Sequence, residues 1–122
     1  MRVLADTCFF IDLERRNPEA IQFLRSNPAA ELTLCEVVRA ELLAVGRDLS
    51  AIEIYIAPEI APLGQEAAAA WSRSVRYLRQ QGQLIGVNDL WIAAVAIANN
   101  LPVLTRNRRE FERVPDLTVI TY

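Results

Sequence analysis

Residues 88–107 read NDLWIAAVAIANNLPVLTRN, and this stretch decides the fold class. Asn88 is a good N-cap residue, and the helix it opens over 89–99 is apolar almost all round, which marks a buried helix. Leu101 to Thr105 is then a short apolar run of the kind a buried parallel strand shows. A buried helix feeding a buried strand belongs to a sheet covered by helices.

The same alternation extends in both directions. Upstream, residues 2–5 form an apolar strand ending at Asp6, followed by a short helix over 8–15. Asn17 and Pro18 suit the cap and first position of a helix that stops before Asn27 and Pro28. A strand over 31–35 leads into a helix over 36–45 closed by Gly46. A helix over 49–56 and a short edge strand over 59–63 follow, and the long alanine- and arginine-rich helix over 65–81 ends at Gly82. Downstream, a helical turn over 108–112 precedes a final strand over 117–121. The expected fold is a single α/β domain over 1–122, with about four to five parallel strands sandwiched by helices.

The composition excludes several chemistries. The chain of 122 residues has no histidine, so Ser-His and Cys-His mechanisms are absent. All 13 basic residues are arginine, so there is no P-loop lysine, Schiff base or kinase-type site. Cys8 and Cys35 form no CxxC, and both read as small buried apolar fillers with free thiols. The net charge of −2 means that any nucleic-acid contact must be a local patch. The longest apolar run is too short to cross a bilayer, and Asp6 falls too early for a signal peptide, so a cytoplasmic protein with no membrane contact is expected.

Carboxylates, hydroxyls and arginines remain. Asp6 stands at the end of the first strand and Asn107 just past the strand 101–105, where open α/β sheets bind ligands. Asp6 reads equally as the N-cap of the helix near Cys8. Glu41 falls in the stripe formed by Leu34, Val37, Val38 and Val45, so it needs a metal or an ion pair with Arg39 or Arg47. Asp89 is either a site residue or a favourable first-turn carboxylate.

Four segments taken together resemble PIN-domain nucleases of the VapC type, the toxins of VapBC toxin–antitoxin pairs. They are LADT at 4–7, VRAEL at 38–42, NDLWIAA at 88–94 and VLTRNRREF at 103–111. The resemblance implies that Asp6, Glu41 and Asp89 are catalytic and hold Mg2+ or Mn2+, with Thr105 supporting them. It also implies cleavage of a structured RNA of the tRNA or rRNA class, a homodimer and a cognate antitoxin that occupies the site. The family often has aspartate where this chain has Asn107. Glu110, one turn on, either substitutes for that carboxylate or is merely solvated. Arg106, Arg108, Arg109 and Arg113 are candidates for phosphate contact at the pocket rim. Arg73, Arg76 and Arg79 share a helix face and read as a solvated surface or an interface. The competing class is a non-catalytic PIN-like module for RNA binding or oligomerisation, with Asn107 marking a decayed site.

Overall fold

The computed structural model describes residues 1–56 and 60–122. Its elements run β1 (Arg2–Ala5), α1 (Thr7–Glu14), α2 (Pro18–Ser26), β2 (Glu31–Thr33) and α3 (Glu36–Ala44). Two 3-10 turns (Leu49–Ala51 and Glu53–Tyr55) lead to α4 (Gln65–Gln81), α5 (Val87–Ala98), β3 (Val103–Leu104), α6 (Arg108–Phe111) and β4 (Val119–Ile120). The four strands are parallel in the order β2-β1-β3-β4, with Arg2 to Leu4 facing Glu31 to Thr33 and Leu4 facing Val103. This is the helix-flanked parallel sheet read from the sequence.

The differences have local causes. Helix α5 begins at Val87 with Gly86 as its cap, so Asn88 is an exposed first-turn residue and caps nothing. The helix expected over 49–56 breaks into two 3-10 turns, the first capped by Asp48 accepting from the Ser50 amide at 2.9 Å. Of the edge strand expected over 59–63, residue 59 lies outside the described residues. Beside it the chain touches the sheet edge at single bridges, Ile56 to Leu32 and Ala61 to Cys35. Val45 is 61% exposed, so the buried stripe of α3 is Val38 and Leu42 and ends before Val45.

Burial explains the rest. Ile92 to Ala96 on α5 are buried, as its all-round apolarity requires, and Phe9, Phe10 and Phe111 are wholly enclosed. Helix α4 ends in a left-handed turn at Gly82 (φ 64°), where the Gly82 and Gln83 amides donate to Arg79 and Leu78. β1 connects outward to β2 on one side and β3 outward to β4 on the other. The chain therefore diverges between the central strands β1 and β3, which opens a crevice at their carboxyl ends.

Candidate active site

Asp6 leaves β1 at that crevice, its amide bound to the Leu104 carbonyl at 2.9 Å. Its extended backbone turns the carboxylate back over the start of α1. Oδ1 accepts the Thr7 amide at 2.7 Å, and Oδ2 accepts the Thr105 hydroxyl at 2.8 Å and the Cys8 thiol at 3.5 Å. Only 6% of the residue is exposed. Asp6 thus caps α1 and accepts the Thr105 hydroxyl at once, since a carboxylate has lone pairs for both tasks. Thr105, fully buried, donates to Asp6 and accepts the Asn107 amide at 3.0 Å.

Thr7 links this group to α3 by donating its hydroxyl to Glu41 Oε1 at 2.7 Å. The ion pairs considered for Glu41 do not form. Arg39 pairs with Glu36 at 3.6 Å and Arg47 with Glu14 at 3.3 Å.

Asp89 projects from the first turn of α5. Its carboxyl is pushed up from 3.8 to about 6, first by burial, then by the negative fields of Asp6, Glu41 and Glu110, and by a hydrogen bond with Glu110. The fields identify Asp6, Glu41, Asp89 and Glu110 as neighbours in one electrostatic environment. Among the described residues, no arginine pairs with any of the four.

At the fourth position Asn107 and Glu110 touch each other. Asn107 directs its amide to Glu110 Oε2 at 3.4 Å, while Glu110 itself reaches Asp89. Two residues differ from the sequence reading. Cys8 is a free thiol as read, kept protonated by burial and then by the Asp6 charge, which raise its pKa, but it also donates to Asp6. Asp12 went unnoticed although it is 4% exposed. It accepts Arg106 Nη1 at 3.0 and 2.9 Å and the Tyr122 hydroxyl at 2.7 Å. Its signal was legible: Asp12 follows Phe9 by three residues and Cys8 by four, on the inner side of α1.

The remaining arginines lie outside the acidic group. Arg108 pairs with Glu112 along α6, Arg109 is exposed, and Arg113 donates to the Leu84 carbonyl at 3.4 Å. Arg73, Arg76 and Arg79 are exposed on α4, as both a solvated surface and an interface require. An open groove of about 430 Å³ adjoins Glu41, lined mainly by Val37, Ala40, Ala44 and Leu63.

The donor set suits a hard divalent cation, being all oxygen and negatively charged, with like charges that lack compensation. As the side chains stand, no three acidic or sulfur-bearing groups among the described residues are drawn in to the spacing of a ligand cluster.

Comparison with known proteins gives this geometry a family. The model of the PIN domain matches residues 3–117. The chain belongs to the PIN domain family. Ribonuclease VapC4 of Mycobacterium tuberculosis is 32% identical over 98% of this chain and 96% of its own length. Ribonuclease VapC of Rickettsia bellii is 43% identical over 60 residues, 49% of this chain and 45% of that relative. The structure of VapBC2 from Rickettsia felis, bound to a DNA fragment from its promoter, superposes with a TM-score of 0.86 at 25% identity. That match covers 100% of this chain and 99% of the other. The VapC-type resemblance is thereby upheld for this PIN domain, and membership of a PIN-domain ribonuclease family implies use of a divalent metal. No helix among the described residues is long and apolar enough to cross a membrane.

Proposed function

We propose that residues 1–122 form a metal-dependent endoribonuclease, the toxin half of a toxin–antitoxin pair, acting on RNA phosphodiester bonds. The carrying observation is the group of Asp6, Glu41, Asp89 and Glu110, paired with no arginine among the described residues and with Asp89 pushed up to about 6. Such mutual repulsion is relieved by a cation.

Asp6, Asp89 and Glu41 would hold Mg2+ or Mn2+, with Glu110 contributing a fourth carboxylate and Asn107 steadying it. When bound, the cation supplies Lewis-acid stabilisation of phosphate charge and readier ionisation of water. Thr105 keeps Asp6 turned into the crevice, and Thr7 does the same for Glu41. Glu41 is held through Oε1, and its Oε2, without a partner among the described residues, would orient the attacking water. Arg106, Arg108 and Arg109 border the site in sequence and suit RNA phosphates.

The VapBC structures support a cognate antitoxin, while a structured tRNA- or rRNA-class substrate, a homodimer and a cytoplasmic location are part of the proposal, implied by the VapC-type resemblance. The apolar groove beside Glu41 offers the antitoxin a surface continuous with the site. Purified protein freed of antitoxin should cleave a structured RNA with Mn2+ and stop in EDTA. Cleavage that survives both EDTA and Asp89→Asn would overturn the reading. A non-catalytic scaffold, the competing reading, should gain no thermal stability from Mn2+, whereas the nuclease should.

A further inference from the structure

Arg106 differs from its neighbours in how its guanidinium is held. Its Nη1 spans both oxygens of Asp12, at 3.0 and 2.9 Å. The Asp12 side chain is only 5% exposed, whereas that of Arg106 is 56% exposed. Asp12 is itself fixed by the Tyr122 hydroxyl at 2.7 Å, and the Tyr122 ring stands edge-on to Phe9 at 4.9 Å. Nε and Nη2 of Arg106 donate to nothing else among the described residues. One edge of the fork is therefore anchored in the interior and the other faces solvent, one residue from the Thr105 that holds Asp6. Arg108, by contrast, bonds along its own helix, and Arg109 has no ion pair among the described residues.

We propose that Asp12 and Tyr122 are positioning residues that fix Arg106 as the arginine gripping the RNA phosphate next to the cleaved one. The proposal rests on the ribonuclease reading above. An arginine ordered before binding loses less side-chain freedom on contact, and its free edge matches a phosphate's oxygens. The idea makes a prediction opposite in sign to charge counting. Removing the Asp12 carboxylate makes the surface less negative, so electrostatics alone predicts tighter RNA binding. Positioning predicts weaker binding.

The test is fluorescence anisotropy of a fluorescein-labelled RNA hairpin in EDTA at low salt, where cleavage plays no part. Arg106→Gln should weaken binding about tenfold and reduce the salt slope by about one. Asp12→Asn should weaken it about fivefold, and Tyr122→Phe, which keeps the ring on Phe9, about twofold. The double variant Asp12→Asn/Arg106→Gln should bind no more weakly than Arg106→Gln, because the first residue acts only through the second. In cleavage assays the same variants should raise KM and leave kcat within about twofold.

Asp12→Asn binding as tightly as wild type, or tighter, with its fold intact would overturn the proposal. So would losses that simply multiply in the double variant. Should Asp12→Asn fail to fold, Arg106→Gln at the exposed end still decides, since unchanged affinity there refutes the clamp. Wild type that does not bind the hairpin also refutes it, whereas binding without metal-dependent cleavage removes only the nuclease reading.

Discussion

Asp89→Asn is the most informative single change, because stability and activity should move in opposite directions. Raising a carboxyl from 3.8 to about 6 corresponds to about 3 kcal/mol of differential interaction between its two protonation states. Asp89 is only partly buried, and its neighbours relax and are screened, so about 1–2 kcal/mol is the reasonable cost of its charge. A carboxyl whose folded pKa is raised binds its proton more tightly in the folded state. Its ionisation therefore destabilises the fold, increasingly as pH rises from about 4 to about 6 and fully above that. Asparagine keeps the shape and removes the charge. In EDTA at about pH 7.5 the variant should melt about 4–8 °C above wild type, and this advantage should vanish as pH falls toward about 4. Added Mn2+ should reverse the order. At a hundredfold over its Kd a cation stabilises wild type by about 2.7 kcal/mol, and the variant should gain much less. RNA cleavage should be lost in the variant at every pH. Differential scanning calorimetry in EDTA and in Mn2+ reads both effects. An Asp89→Asn protein that melts below wild type in EDTA at about pH 7.5 would refute the crowded-carboxylate account.

Other changes probe the surrounding shell. Thr105→Val should lower stability by about 1–3 kcal/mol in chemical denaturation, leaving the Asp6 oxygen and the Asn107 amide without their buried partner, and should slow cleavage. Glu110→Gln should weaken Mn2+ binding in calorimetric titration while raising the EDTA melting temperature, because one like charge near Asp89 is gone. Asn107→Asp should keep or increase cleavage at saturating Mn2+. It should also lower the melting temperature in EDTA, since it sets a carboxylate against Glu110 where an amide now donates at 3.4 Å. Loss of cleavage in a folded Asn107→Asp protein would remove that position from the site.

The sequence by itself determined the α/β layering. An all-round apolar helix, two short apolar strands and well-placed Gly and Pro breaks have few other ways to bury their surface. It also marked Asp6 at a strand end and Glu41 in a helix stripe as departures from pattern, whereas Asp89 and Glu110 became candidates only through the resemblance to PIN-domain nucleases. It could not settle what each carboxylate touches. Glu41 had Arg39 and Arg47 close in sequence, yet its partner is Thr7, which lies 34 residues away and is brought in by the packing of α1 on α3. Local extrapolation also failed where tertiary burial set the limits. Val45 continues the periodicity of α3 but is solvent-exposed, and Asn88 has the chemistry of a cap but sits inside the helix. Asp12, Arg106 and Tyr122 were unreadable as a group because they belong to three separate elements that meet only once β1, β3 and β4 align in parallel. Periodicity reports which face a side chain takes relative to its own helix or strand. The partner across the crevice is decided by the register of the sheet, and only the folded chain carries that information.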